Sequence, residues 1–203
     1  MNIFLLSYER RPLHHYREQA AFHCDKHVVK MIAESVQLIV TALSNKYPDN
    51  LSRFMPPDMQ DSFPCKPLGL GMSKHPCAIW ARASISHINY LTNLAISLCD
   101  EKARRWPLNP WHEYQPWLLA LRLELELLGC KPHDPLPDCF PIAVKSEELR
   151  SISTPHTTVV DIYRSYYVAD KQAFATWRKT VKPLWFVMAV EAAALQSESL
   201  TTN

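Results

Sequence analysis

An all-α fold, a single bundle of about five helices with two long proline-rich loops, is predicted by three features of the sequence. Apolar residues recur at three- and four-residue spacing over long stretches. The 16 prolines gather between those stretches or at their starts. Outside a short opening segment, no run alternates in the way a half-buried strand does.

The elements follow in chain order. Residues 3–7 are compatible with one short strand, and a helical pattern then runs from about Ala20 to Ser44. Residues 47–74 hold five prolines and two of the three glycines, which reads as a long loop. His75-Pro76 marks a helix start, because proline suits the first turn where its missing N–H costs nothing; this helix is expected to reach about Arg105. Pro107, Pro110 and Pro116 break the next stretch, Trp117 to Leu128 is helical, and Gly129 is its natural terminator. A second proline-rich loop spans 131–141, helices follow over 159–178 and 183–196, and residues 197–203 read as a frayed polar tail on a single domain of residues 1–196.

Composition narrows the chemistry. With Gly69, Gly71 and Gly129 as its only glycines, the chain can assemble neither a GxxxxGK[ST] phosphate loop nor a GxGxxG dinucleotide turn. A formal net charge of +2 argues against wholesale coating of phosphates, so any nucleic-acid contact must be local, through Arg10, Arg11, His14, His15 and Arg17 or through Lys171, Arg178, Lys179 and Lys182. No apolar run reads as a membrane span, the opening residues lack a signal peptide's basic region, and six scattered cysteines suit reduced thiols. The expected location is the cytoplasm, with no membrane partner.

Three groups of residues carry candidate chemistry. On one helix, His23, His27, Lys30, Glu34, Gln37 and Thr41 fall in a stripe roughly 80° wide. Such a seam either faces water or lines a pocket; two imidazoles, an ammonium and a carboxylate in line suit proton transfer beside an anion. The His23/His27 spacing also suits a metal, with His75, Cys24 or Cys77 completing the set, although no glutamate lies between the histidines and there is no CxxC pair. At the second helix start, Cys77 lies in the first turn, where free backbone N–H groups favour a thiolate; a small buried core residue is the plainer alternative. Trp80 suits either the core or base stacking, and Arg82, Asn89 and Tyr90 follow, with asparagine able to bond a pyrimidine edge. Late in the chain, Asp161, Tyr163, Arg164, Tyr166, Tyr167 and Lys171 interleave aromatics with cations, which suits stacking plus phosphate contact or ordinary packing of tyrosines between helices.

The set His23-Cys24-Asp25-Lys26-His27-Val28-Val29-Lys30-Met31, His75-Pro76-Cys77-Ala78-Ile79-Trp80, Asn89-Tyr90 and Tyr163-Arg164-Ser165-Tyr166-Tyr167 with Lys171 resembles a bacteriophage family, the amino-acid:DNA transferases of thymine hypermodification. The similarity spans about Met1 to Phe186, and departs at the long 47–74 loop, at Pro137-Asp138-Cys139-Phe140-Pro141 and in the 187–203 extension. The resemblance implies replacement of a phosphate or pyrophosphate on 5-hydroxymethyluracil in double-stranded DNA by the amine of a free amino acid, in the host cytoplasm, without metal or cofactor. It implies catalytic roles for His23, Cys24, His27, Lys30, Glu34, His75 and Cys77. Cys77 or Cys24 would add to the pyrimidine ring, His27 or His23 would deprotonate the amine, and Glu34 would fix a neighbouring group. Substrate contacts would come from Asp25, Lys26, Trp80, Arg82, Asn89, Tyr90, Tyr163, Arg164, Tyr167 and Lys171, with Lys30, Lys26 and Arg82 on the departing phosphate. Two other readings fit the same residues: a metal-dependent DNA-processing enzyme or base glycosylase, and a non-catalytic DNA-binding module.

Overall fold

The computed structural model describes residues 2–55, 70–144 and 157–201, and all regular structure among them is helical. The helices are α1 (Pro12–Phe22), α2 (Asp25–Lys46), α3 (Leu51–Phe54), α4 (Leu70–Ser73), α5 (Pro76–Ala83), α6 (Ile85–Arg105), α7 (Gln115–Leu127), α8 (Val159–Tyr166) and α9 (Leu184–Thr201). A 3₁₀ turn covers Pro48–Asn50 and a π-helical turn, Tyr167–Lys171, continues α8. The all-α expectation therefore holds. The helix number exceeds five because two expected helices are each divided and because two short helices, α3 and α4, form within the 47–74 stretch read as a loop; α1 also begins well before Ala20. Half of the 47–74 loop, residues 56–69, lies outside the described residues. The 131–141 loop is irregular as expected, and α9 runs on to Thr201, into the segment read as a tail.

Helices α2 and α6 form the centre. They make the most extensive helix pair in the fold, with α5 against α2 and with α1 and α7 against α6. Val28, Ile32, Val36, Ile39, Val40 and Leu43 of α2 are fully buried, each contributing about 1.5–3 kcal/mol by leaving water. α2 is long and apolar enough to cross a membrane by length and composition, the one such helix among the described residues, and most of its apolar window is packed against its neighbours.

The first division falls at His23-Cys24, where both residues are extended and α1 gives way to α2. No glycine or proline marks this place. The break is sustained by partners distant in sequence: the Cys24 N–H donates to the Tyr167 hydroxyl (3.4 Å) and the Asp25 N–H to the Thr176 carbonyl (2.8 Å), while the His23 ring bonds the Gln19 carbonyl (2.6 Å). His23 is thus a C-cap, not a member of the α2 stripe. The second division is at Ser84, whose Oγ accepts from the His87 N–H (3.2 Å) as the N-cap of α6. His87 in turn bonds the Trp80 carbonyl left open at the end of α5 (2.6 Å) and stacks on the Trp80 ring (4.2 Å between centroids).

Residues 3–7 are extended and buried, yet no strand pairs with them. A side chain stands in for the missing neighbour. The Gln19 carboxamide oxygen accepts from the Leu6 (2.8 Å) and Ser7 (2.9 Å) N–H groups, and its nitrogen donates to the Phe4 carbonyl. Arg164 Nε donates to the Leu6 carbonyl (2.9 Å). Two N–H groups and two carbonyls of the segment thus find side-chain partners where a neighbouring strand would have supplied backbone ones.

Gly129 has φ +90°, and the Cys130 and Gly129 N–H groups bond the Leu125 and Glu126 carbonyls (3.0 Å each), closing α7 as the sequence predicts. A Cβ there would meet nothing within 4 Å. Gly129→Ala is therefore expected to cost only the left-handed backbone penalty, about 1–2 kcal/mol, read as a lower urea midpoint with an unchanged slope.

Candidate active site

The start of α2 and the π turn after α8 bring the first and third sequence groups together. Tyr167, fully buried, sits at the centre. Its hydroxyl lies 2.5 Å from His27 Nδ1, accepts from the Cys24 N–H, and lies 3.7 Å from Cys24 Sγ. With the phenolic proton on sulfur, the hydroxyl accepts from His27 Nδ1–H and the lone pair falls on Nε2; with it directed at Nδ1, Nε2 carries the ring proton instead. A π turn carries one extra residue per turn and re-aims its side chains, a device common at functional sites. Here it directs Tyr167 inward, and Lys171 lies 3.3 Å from the Tyr166 hydroxyl, with its ammonium 4.6 Å from the centre of that ring.

Phe4 organises the aromatic wall. Its ring stacks on His27 (4.8 Å) and meets Tyr163 and Tyr167 edge-on (5.7 and 5.3 Å). On the outer side, half-buried Phe174 packs against His27 (5.5 Å) and carries the Lys26 ammonium on its face (4.8 Å). Burial first, then repulsion between its imidazolium form and that of His23, and then the ammonium groups of Lys171, Lys30 and Lys26, lower the His27 pKa to about 3. His23 is lowered to about 4, chiefly by burial, with its bond to Gln19 acting the other way and Arg105 adding to the fall. Both imidazoles are neutral at pH 7. Lys26 and Lys30 are exposed, one turn apart, and Lys30 pairs with Glu34 (3.0 Å).

The second group meets the first across residues 3–4. The Ile3 backbone lies close enough to Cys77 to favour its thiolate slightly, while the ring of the next residue lies on His27. Glu34, which accepts from the Asn2 N–H (3.1 Å), lies close enough to act electrostatically on both His75 and Cys77. The two motifs are therefore neighbours, but on opposite flanks of a buried segment and not in one open cavity.

Several expected roles are corrected. Cys77 does lie in the first turn of α5, with His75 as N-cap accepting from the Cys77 N–H (3.2 Å). Burial nevertheless pushes its thiol up to about 11, and Cys24 is likewise raised by burial, so neither is an activated thiolate. Trp80 is not an open stacking surface: His87 and Phe140 (5.3 Å) stack on it, and its Nε1 donates to the Cys139 carbonyl. Asn89 spends its amide on the Lys131 carbonyl (2.9 Å) and on Asn93, which removes it from pyrimidine readout. Tyr90 bonds His15 Nε2 (3.0 Å), Tyr163 donates to the Pro141 carbonyl (2.7 Å), and Arg82 donates to the Ser73 carbonyl (2.5 Å). Arg164 is held by Leu6 and stacked over Tyr8 and Trp185 (4.4 and 4.9 Å).

Asp25 is a structural ligand too. Its carboxylate accepts from Arg105 (3.0 Å), Thr176 (3.3 Å) and the Arg178 N–H (2.8 Å). Arg105, whose side chain is wholly buried, also bonds Glu101 (2.6 Å) and the Ala21 carbonyl (2.9 Å). Burial opposes the charge on Glu101, but its bonds to Arg104 and Arg105 keep its pKa below the ordinary carboxylate range. Sequence reasoning missed Arg105, Glu101, Gln19 and Phe4, and periodicity gives no sign of a buried arginine. Among the described residues no group of three or more His, Cys, Asp or Glu is placed to hold a metal, so the His23/His27/His75 ligand set is not assembled there.

Comparison with family models, with curated proteins and with solved structures finds no match.

Proposed function

We propose that the chain is a DNA base-modifying transferase that replaces a phosphate or pyrophosphate on 5-hydroxymethyluracil with the amine of a free amino acid. The observation that supports this reading is a neutral imidazole, His27, held through Nδ1 by Tyr167 and set beside three lysines, Lys26, Lys30 and Lys171, of which the last two pair with Glu34 and Asp170. Ordinary histidine is half-charged near pH 6.5, so a base that stays neutral beside cations suits a site that must also attract phosphate.

In this reading the bond from the exocyclic methylene carbon to the phosphate oxygen breaks, and the electron pair leaves with the phosphate, which the lysines neutralise. The amino-acid nitrogen forms the new bond to that carbon, and His27, as the Nδ1–H tautomer, receives its proton at Nε2. Cys24 and Cys77 have no step, because their thiols stay protonated. The half-buried ring of Phe174 is the group that must yield for a base to reach His27.

The test is to incubate the protein with DNA carrying phosphorylated hydroxymethyluracil and a mixture of amino acids, then to analyse nucleosides by mass spectrometry. An amino-acid adduct and released phosphate are expected. His27→Gln is expected to slow their formation by roughly 10²-fold or more. Folded protein that yields neither product overturns the reading, and a product released as free base would favour a glycosylase instead.

A further inference from the structure

A cleft of about 530 Å³ lies along α6 between α1 and α7, on residues other than those of the His27 cluster. Its volume is that of a small-molecule site. The apolar part is made by Leu13, Tyr16, Ile96 and Pro132, and the charged part by Arg17, Asp100 and Arg122, with the Glu101–Arg104 pair at one end. Glu101 and Arg104 are already bonded to each other and, respectively, to Arg105 and Thr180. Arg17 and Asp100 are not so engaged, and Arg122 has only a long ion pair to Glu126 (3.8 Å).

Asp100 makes no hydrogen bond or ion pair among the described residues, although it lies within electrostatic reach of both Arg122 and Arg17. Burial raises its pKa against the lowering effect of those two guanidiniums. Arg17 has no hydrogen-bonded or ion-paired partner among the described residues either. Arg122 Nε is buried without a hydrogen bond, its nearest carboxylate being Glu126 at 3.8 Å. The Arg122 side chain is 33% exposed and lines the cleft, so a ligand carboxylate would meet its accessible outer nitrogens and not the enclosed Nε. The unpaired Asp100 would take a ligand ammonium.

We propose that this cleft binds a small zwitterion, a molecule bearing one carboxylate and one ammonium, the class of free α-amino acids. The carboxylate is held by Arg122 with Arg17, the ammonium by Asp100, and the side chain lies against Tyr16 and Ile96. A simple anion would leave Asp100 repelling it, and a simple amine would face two guanidiniums. The proposal goes beyond the transferase reading and stands whether or not that reading does.

Isothermal titration of the full chain with glycine, serine, leucine and glutamate tests it, with isoamylamine and N-acetylleucine as the single-charge counterparts of leucine. At least one amino acid is expected to bind, and for leucine both counterparts are expected to bind roughly tenfold more weakly or worse. Arg122→Gln and Asp100→Asn are each expected to weaken binding by about tenfold without lowering the melting temperature. No heat from any amino acid up to about 10 mM, counterparts as tight as leucine, or variants with unchanged affinity would each overturn the proposal. Both variants leave His27 untouched, so amino-acid binding without nucleoside product would sink the transferase reading alone.

Discussion

Arg105→Ala is expected to destabilise the fold by about 3–5 kcal/mol, because it removes the central cation of a buried ion network and leaves the Asp25 carboxylate without a positive partner. The arginine joins three elements at once: Glu101 within α6, the Ala21 carbonyl in α1 and the Asp25 carboxylate at the start of α2. Its loss leaves Glu101 with Arg104, and Asp25 with Thr176 and the Arg178 N–H. Domains of this kind are stable by about 5–15 kcal/mol in all, so the variant is expected to be close to unfolding at 37 °C. Urea denaturation at pH 7 measures it. The triple change Arg105→Met, Glu101→Gln and Asp25→Asn is expected to recover much of the loss, since it removes both anions together with the cation, and replacing buried ionic groups by apolar or neutral groups of similar volume is often neutral. A drop below about 1 kcal/mol for Arg105→Ala would mean that water reaches the network, since exposed pairs contribute that little.

Acid lability is the second large effect. The His23 and His27 pKa values, about 4 and about 3 in the folded chain, lie below the ordinary value of 6.5. The unfolded chain therefore takes up protons that the native imidazoles refuse. This part of the stability is complete above about pH 6.5 and is lost as pH falls toward the folded values, at up to about 1.4 kcal/mol per pH unit for each group. Near pH 5 unfolding should take up roughly two protons through these residues, seen as a steep fall of the urea midpoint between pH 6 and 4.5. His23→Gln or His27→Gln should lower that slope by about one proton. A flat profile across this range would show that the two rings are solvated in the native state.

Much of the scaffold was legible because it rests on local rules. Proline at the first turn placed the start of α5, Gly129 placed the end of α7, and the spacing of Val28, Ile32, Val36 and Ile39 marked α2 as a core helix. What sequence pattern misjudged depends on partners far along the chain. A helix through His23-Cys24 is locally reasonable, and only the Tyr167 hydroxyl and the Thr176 carbonyl make the break favourable. The candidate site divides in the same way. His27, Lys26, Lys30, Tyr167 and Lys171 do come together, since a helix start and a π turn project them into one region. Asp25, Trp80, Asn89 and Tyr163 were singled out for polarity or aromaticity, which cannot tell a group that meets a ligand from one that meets the protein's own backbone.

The buried course of residues 3–7 bears on how the protein is made. Leu6 waits for an arginine 158 positions downstream, and Phe4 for Tyr163, Tyr166 and Tyr167. At a translation speed of ~5–20 residues per second the amino-terminal segment spends on the order of ten seconds outside the ribosome before its seat exists. During that interval a stretch as greasy as Ile3-Phe4-Leu5-Leu6 is open to chaperones, and its seating must follow synthesis of α8 and the π turn.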